Sequence, residues 1–376
     1  MFEGNSVNNP DIGSQSRSPR GIVKINNIQV PFLTVEVDQT NFYMASTFRM
    51  SIPIGTLPKE LNFSYFSSTP AILVEIYAGF PSNPLTVNEG ELTKLLVAQV
   101  DDVKIPIPFT VINLSGRDLT AKFIDNKTTE KFQNHTSSQI VKILAARRGM
   151  TADVTDTHTI VGKYYQIDHV SLSDETTEWD LLTFLAKEEG FNVYVEDQTL
   201  HFHPLPKETD KPYVLKYSID QLGRHTSNVI SGDLSRNLTI AKDVIVKVRS
   251  CNMKRKKGFT VTVKATHNKN TVLAGAAQPI GDAQVFTYRF ANLSKQQALD
   301  KAQKLLKKIS SHEMNLSANL APDNILSNRN IIKFMDSKSN FDQVYYPTNV
   351  TRTLTPGGYT MSLDAKNHQP NTETTL

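Results

Sequence analysis

A pattern of two helices at residues 136–205 constrains the fold of this chain more than any other feature. It separates two long regions in which apolar and polar residues mostly alternate, as they do in a β-strand. In its first half, Ile140 and Leu144 share one helical face. Thr136, or a serine beside it, can accept a backbone N–H at the start of this helix. Gly149 supplies a left-handed stop at its end. We therefore predict a capped amphipathic helix here.

The second half of this pattern repeats the plan and continues into a hairpin. A threonine at 176 or 177 can cap a helix that ends at Gly190. We expect the apolar face of that helix to contain Trp179, Leu181, Leu182, Phe184 and Leu185. From Phe191 onward apolar and polar residues alternate over two short runs that a turn at residues 197–198 separates. This arrangement is typical of a two-stranded antiparallel hairpin.

The regions on either side of the helical pattern read as β-structure. Runs of alternating residues occur through residues 21–117 and again from residue 206, and clusters of Pro, Gly, Asn and Ser separate them. The second region also contains a helix at 294–309, which Ser294 caps. In residues 21–117, several short strands without a long helix favour a closed or sandwiched β domain. The residues thus predict an α+β, mostly β fold with an inserted α+β module.

We divide the chain on this basis. The predicted parts are a flexible N-terminal arm at 1–20, a first β domain at 21–117, an α+β insert at 118–205, a second β domain at 206–366 with a hairpin extension at 249–285, and a C-terminal tail at 367–376. The arm could instead become ordered against a neighbouring subunit.

Composition narrows the function classes. The 376 residues include 41 basic and 37 acidic side chains, and this small excess does not by itself argue for nucleic-acid binding. The one cysteine, Cys251, excludes an intrachain disulfide framework and a cysteine-built metal cluster. The most apolar run, at residues 71–80, is too short to span a bilayer. The N-terminal arm lacks the apolar core of a secretory signal.

Several patterns could carry binding or chemistry. His201 and His203 alternate on a strand and share a face, so they could chelate a metal, but no third ligand is evident in the sequence. Exposed strand histidines are the ordinary alternative. The run KRKK at 254–257 could contact phosphates, or it could be a solvated hairpin tip.

Signs of catalysis are weak. Asp101–Asp102 and Glu188–Glu189 are adjacent acids, whereas glycosidases place two acids across a cleft. Neither a Gly-x-Ser-x-Gly motif nor a glycine-rich phosphate loop occurs. We expect no catalytic, cofactor-binding or metal-binding residues, and hence no enzyme and no cofactor.

The order of five segments suggests a family. They are LSGRD at 114–118, FQNHTSSQIVKILAARRGM at 132–150, TEWDLLTFLAKEEGFNVYVEDQTLHFHP at 177–204, SKQQALDKAQKLLKK at 294–308 and NVTRTLTPGGYTMSLDAKN at 349–367. Together they resemble the baseplate hub of contractile phage tails, the late control protein D family, and are similar to the hub half of type VI secretion spike proteins. The resemblance covers about residues 21–367. Its structural motif positions are Gly116, Asp118, Ile140, Gly149, Trp179, Leu182, Gly190, Phe191 and Gly358.

The resemblance implies a structural role in a virion. Such hubs are homotrimers in which each subunit has two tube-like β-barrel domains, so that six barrels form a pseudo-sixfold ring. That ring would join a hexameric tail tube to a trimeric central spike. Implied partners are tail tube or tube-initiator proteins, the spike protein and other baseplate proteins, with transient passage of a tape-measure protein or DNA through the lumen.

The resemblance leaves two other functions open. A tail-associated peptidoglycan-degrading enzyme and a glycan-binding adhesin are the alternatives, although this sequence shows no lysozyme-like or peptidase segment. Nor does it contain a spike-like repeat, so a separate spike protein would be needed. Assembly would take place in the host cytoplasm, and contacts are expected in the loops at 53–70, 79–91 and 253–282.

Overall fold

The structure is a computed structural model. It describes residues 18–41, 43–81, 87–128, 130, 132, 134–158, 176–204, 212–236, 244–252, 257–267, 284–291, 293–310, 314–367 and 372–375. Most of the predicted N-terminal arm therefore lies outside the described residues. Among the helices that are described, none is both long enough and apolar enough to cross a lipid bilayer.

The chain forms two compact units, and it passes between them several times. The first unit comprises Met1–Lys211, Asn319–Arg329 and Thr348–Leu363. The second unit comprises Pro212–Ala318, Asn330–Pro347 and Asp364–Leu376. The first unit is thus completed by segments from the last fifth of the chain, and the domain limits given above stay a prediction.

The first unit contains seven antiparallel strands from the start of the chain. They are β1 (Arg20–Ile25), β2 (Ile28–Val30), β3 (Thr34–Thr40), β4 (Thr47–Pro53), β5 (Leu73–Gly79), β6 (Thr93–Lys104) and β7 (Val111–Asp118). They pair in the order β2-β1-β5-β6-β7-β4-β3. A short helix, α1 (Phe63–Ser68), and single 3₁₀ turns at Ile54–Thr56 and Glu89–Glu91 join them. Alternate residues of these strands bury one apolar core.

The predicted insert packs around a core of its own within the first unit. Its elements are α2 (Ala121–Ile124), α3 (Ser137–Arg147), β8 (Thr151–Val154), α4 (Glu178–Glu189), β9 (Phe191–Glu196) and β10 (Thr199–Pro204). Strands β9 and β10 form the predicted hairpin, and β8 pairs in parallel with β10. The alternation of polar and apolar residues at 151–154 is only four residues long and no strand was predicted there, so β8 is a difference from the sequence prediction. The backbone of β10, on the side that does not pair with β9, supplies the hydrogen-bond partners of β8.

Both predicted helices of the insert are confirmed, with their caps. Thr136 accepts from the backbone N–H of Gln139, whose side chain in turn accepts from the Thr136 N–H. Thr177 and Asp180 form the same reciprocal pair at the start of α4. Each pair satisfies N–H groups that the first helical turn leaves without a partner.

The remaining elements lie wholly or partly in the second unit. They are β11 (Tyr213–Ile219), β12 (His225–Ser227), β13 (Val229–Arg236), β14 (Val244–Asn252), β15 (Lys257–His267), β16 (Gln284–Ala291), α5 (Lys295–Ser310), β17 (Met314–Leu320), β18 (Ile332–Met335), β19 (Val344–Thr355), β20 (Gly358–Asn367) and β21 (Thr372–Thr375). Strands β17, β19 and β20 each run from one unit into the other. In the first unit, residues 349–354 of β19 pair antiparallel with β3.

A four-stranded sheet in the second unit packs against α5. Its order is β16-β14-β15-β21, and valines of β14 and β15 meet Ala298, Ala302 and Leu306 of the helix. Strands β14 and β15 pair antiparallel, and residues 253–256 of the basic run between them lie outside the described part. The hairpin extension at 249–285 stays a prediction. Strand β21 forms where a frayed tail was expected, because its threonines favour extended structure and find the free edge of β15.

The fold class predicted from the sequence is confirmed: the protein is α+β and mostly β. Within the described residues, the hydrogen-bonded strand pairs form open and branched paths, with no closed ring. The two tube-like barrels therefore stay a prediction.

Candidate functional site

Gly116 marks a place in the first sheet where two backbones come too close for a side chain. It lies on β7 opposite Val100 of β6, where the register shifts between Val100 and Asp102. A Cβ at this position would lie 1.9 Å from the carbonyl oxygen of Gln99. Only glycine fits a strand at such a close approach.

Asp118 ends β7 and is the buried polar anchor at the entrance to the insert. Its side chain accepts from the backbone N–H of Ser46 at 2.9 Å and of Thr120 at 3.0 Å. Removal from water raises the pKa of this carboxyl to about 6, and the backbone donors only partly offset that effect. The residue therefore fixes the chain path from the first sheet into α2.

The raised pKa of Asp118 predicts a pH-dependent stability. A carboxyl with a higher pKa in the folded than in the unfolded chain binds more protons when folded, so stability falls as pH rises between the two values. Relative to Asp118→Asn, the wild-type protein is expected to lose about 2 kcal/mol of unfolding free energy between pH 4 and pH 7. Urea denaturation of both proteins across this range measures the difference, and parallel curves would contradict the burial argument.

Trp179, Phe191 and a loop of the first sheet meet at Tyr43. The Trp179 Nε1 donates to the Tyr43 carbonyl at 3.0 Å, and the Tyr43 hydroxyl donates to the Phe191 carbonyl at 2.5 Å. The Tyr43 N–H also donates to the carbonyl of Val193 at 3.2 Å. Burial raises the pKa of the Tyr43 hydroxyl. The sequence prediction missed Tyr43, because its partners lie about 140 residues away and nothing local marks it.

The two helices of the insert are joined by a buried ion pair. Both guanidinium nitrogens Nε and Nη2 of Arg148 lie 2.7 Å from the carboxylate of Glu178, whose side chain is only 1 % exposed. The hydrogen bond to Glu178 raises the pKa of Arg148. The sequence placed these charges at the ends of two helices. Only the fold shows that the end of α3 meets the beginning of α4.

The remaining motif positions have structural roles. Ile140 and Leu182 are buried in the core of the insert. Gly149, Gly190 and Gly358 have positive φ angles of 66°, 71° and 147°, which side chains rarely adopt. The first two follow helices α3 and α4, and Gly358 begins β20 after a tight turn. The structure brings none of these into one cleft; they support the fold.

Arg352 is a structural residue that sequence reasoning did not single out. Among the described residues it is the largest fully buried side chain, at 1 % exposure, and it lies on β19. Its guanidinium donates to Gln39 Oε1 at 2.7 Å, to the Asp323 carbonyl at 3.2 Å and to the Leu326 carbonyl. These acceptors lie on two segments, at residue 39 and at residues 323–326, that are distant from Arg352 in sequence, so the sequence holds no local signal of this network.

Each unit, taken by itself, exposes large apolar side chains that are candidate assembly contacts. On the first unit, Phe63 and Phe109 have ring centroids 5.2 Å apart, and Ile107, two residues before Phe109, is 85 % exposed. On the second unit, Leu222 is 78 % exposed and Ile230 is 70 % exposed. Exposed apolar clusters such as the Phe63–Phe109 pair mark interaction surfaces. The predicted contact loop at 53–70 contains Phe63, whereas much of the loops at 79–91 and 253–282 lies outside the described residues.

Strand β13 strengthens this assignment. Six of its eight residues are exposed and none is buried, although it pairs with β17. Its neighbour β12 is exposed along all three residues. Strand β13 thus leaves apolar residues such as Ile230 in contact with solvent.

Comparison with solved structures identifies the fold. No protein-family model matches the sequence, and a search of curated proteins gives no match. A tail protein from Neisseria meningitidis MC58 superposes with a TM-score of 0.66 at 15 % identity, over 94 % of this chain and 98 % of that one. The 43 kDa tail protein of prophage MuSo2 from Shewanella oneidensis gives 0.63 at 14 % identity, over 93 % and 98 %. The fold is that of phage tail proteins.

The same fold occurs in a secretion system. The E. coli c3393 protein, a type VI secretion component described as structurally similar to bacteriophage T4 tail proteins, gives a TM-score of 0.51 at 11 % identity, over 93 % of this chain and 77 % of that one. The resemblance drawn from the sequence is therefore confirmed at the level of fold. The solved structures that this chain resembles are tail proteins and type VI secretion proteins.

Proposed function

We propose that this protein is the structural baseplate hub of a contractile phage tail or a related injection device. In this proposal three copies assemble so that their β domains form a pseudo-sixfold ring. The ring joins a hexameric tail tube to a trimeric central spike. The protein then acts in the virion through its interfaces and performs no chemistry.

The observation that supports this proposal most is the length of the structural match. Nearly the whole chain superposes on nearly the whole of a tail protein and a prophage tail protein. A match in one sheet alone would be expected from many unrelated β proteins. A match over 93–94 % of the chain favours a shared role in tail assembly.

The exposed apolar residues support assembly from several copies. Leu222 and Ile230 would each lose contact with water in a subunit interface, which favours association. Closed homo-oligomers bury such self-complementary or head-to-tail surfaces. A second copy of this chain is the proposed occupant of the exposed face of β13. The tail tube, the spike and other baseplate proteins would cover the ends of the ring.

The oligomeric state tests the proposal. Multi-angle light scattering is expected to give a mass three times that of the 42.0 kDa chain. Ile230→Asp is expected to shift the mass to that of a monomer, because a charge would be buried in the interface. Ile230→Val keeps the apolar contact and serves as the matched control. A wild-type chain that stays monomeric, alone and with a candidate spike protein, would overturn the hub assignment.

The absence of catalysis is a separate part of the proposal. A zymogram on purified peptidoglycan is expected to show no clearing by the trimer at any pH between 5 and 8. Clearing that copurifies with the protein and survives Ile230→Asp would instead support a peptidoglycan-degrading enzyme. Binding of the trimer to cell-wall glycans without clearing would favour an adhesin.

A further inference from the structure

Three ligand-type side chains converge on the small sheet of the insert, outside every interface considered above. His201 and His203 alternate on β10, so their side chains share one face while Phe202 between them is buried in the core. Strand β8 runs parallel to β10 and places Asp153 directly beside His201 in register. The sequence showed the two histidines but gave no sign of Asp153, which is 48 residues away.

The distances are those of a metal-binding cluster. Asp153 Oδ2 lies 3.0 Å from His201 Nδ1 and 2.9 Å from His203 Nε2. These three ligand atoms all lie within 4.8 Å of one another. Two ligands of a tetrahedral zinc ion, each at about 2.0–2.1 Å, are themselves ~3.3 Å apart. A small outward movement of the exposed Asp153 side chain is sufficient to admit the ion.

Both imidazoles are held in the orientation that a metal requires. His203 Nδ1 lies 2.9 Å from Thr155 Oγ1, which leaves Nε2 free to bind. His201 stacks on the Tyr194 ring, with centroids 4.7 Å apart and planes 14° apart. Its Nε2 lies 3.9 Å from Glu196 Oε2, beyond hydrogen-bond distance, whereas its Nδ1 lies 3.0 Å from Asp153 Oδ2 and faces the cluster. A partner on the second nitrogen orients the ring of a metal-ligating histidine, as Thr155 does for His203, while the Tyr194 ring packs against His201.

The charges around the cluster also suit a divalent cation. Asp153 supplies a carboxylate on the exposed side of the cluster. Arg329 is the cation nearby, and it lies 2.6 Å from Glu196 and stacks on Tyr194. Its charge is thus paired with a carboxylate.

We propose that Asp153 Oδ2, His201 Nδ1 and His203 Nε2 form a binding site for a divalent transition-metal ion, with zinc the best fit. Two imidazole nitrogens and one carboxylate oxygen are ligands that zinc accepts, whereas magnesium and calcium prefer oxygen alone. The exposed side of the cluster leaves a fourth position for water. The ion joins β8 to the β9–β10 hairpin and so links two parts of the insert that are far apart in sequence.

Zinc titration against a chromophoric chelator tests the site on a chain without a polyhistidine tag. The wild-type protein is expected to bind one zinc ion per chain at pH 7.5. Asp153→Ala and His203→Ala are each expected to weaken zinc binding more than ~100-fold, because each removes a ligand. Loss of a ligand weakens binding more than loss of a residue that only orients a ligand. The matched control is Asp156→Ala, which removes an exposed carboxylate that pairs with Lys142 at 2.7 Å and lies outside the cluster.

Two further measurements keep the test independent of how the variants fold. Cobalt(II) added to the wild-type protein is expected to give the visible absorption of a four-coordinate ion with mixed nitrogen and oxygen ligands, at one ion per chain. Thr155→Val leaves all three ligands in place and is expected to weaken zinc binding ~10–100-fold. Failure of the wild-type chain to bind zinc overturns the proposal. So does unchanged affinity in Asp153→Ala, which would place the ion elsewhere.

Discussion

Gly116→Ala is expected to reduce the unfolding free energy of the first unit by at least ~3 kcal/mol. The added methyl group would meet the backbone carbonyl of Gln99 at 1.9 Å, and a backbone atom cannot move aside as the end of a side chain can. The strands β6 and β7 must therefore separate at the irregular register, which strains or breaks their hydrogen bonds. This loss of stability exceeds that of an ordinary core substitution, because the steric clash is removed only if the backbone of the sheet moves.

Urea denaturation followed by tryptophan fluorescence measures this effect. Trp179 is the single tryptophan of the chain and is buried in the first unit, so its emission reports the unit that contains Gly116. Gly90→Ala is the matched control, because a Cβ at Gly90 meets nothing within 4 Å. We expect the control to change stability by less than about 1 kcal/mol. Equal effects of the two substitutions would refute the close-approach explanation.

Arg352→Met is expected to have the second large effect, a loss of about 3 kcal/mol or more. Methionine fills much of the same space, so the change removes hydrogen bonds more than volume. The carbonyl groups of Asp323 and Leu326 and the amide oxygen of Gln39 then lose their donor inside the protein. Each buried acceptor without a partner costs about 1–3 kcal/mol, and release of the buried charge offsets part of the sum.

A conservative change and a surface change complete this test. Arg352→Lys keeps the charge but lacks the planar guanidinium that reaches three acceptors. We therefore expect its unfolding free energy to lie between that of the wild type and that of Arg352→Met. Arg49→Met is the control, since its side chain is 80 % exposed and 3.9 Å from Glu36. That exposed pair is worth less than about 1 kcal/mol. Stability of Arg352→Met equal to that of the wild type would show that water or other groups replace the lost donors.

Local features of the fold could be predicted because their causes are close together in sequence. The capping residues Thr136 and Thr177 bond to groups three positions away, and Gly190 ends its helix through its own backbone. The β9–β10 hairpin needs only alternation and a turn. The same kind of reasoning failed at β8, because a four-residue parallel strand depends on a partner 48 residues later.

Residues with roles across long distances were beyond the reach of sequence reasoning. Asp153 completes the metal-type cluster only because β8 lies beside β10. Tyr43 joins a loop of the first sheet to the insert through Trp179 and Phe191. No periodic pattern in the sequence relates the groups that these contacts join.

The sequence by itself determined the two longer helices and the hairpin of the insert, the mostly β class and the positions where glycine ends a helix. These depend on hydrogen bonds and side-chain periodicity within a few residues. Only the tertiary structure decided that β19 returns to pair with β3, that Arg352 has three distant acceptors, and that two histidines gain an aspartate. Those outcomes depend on which strand edges and buried polar groups satisfy one another in the folded chain, and that is a property of the whole chain.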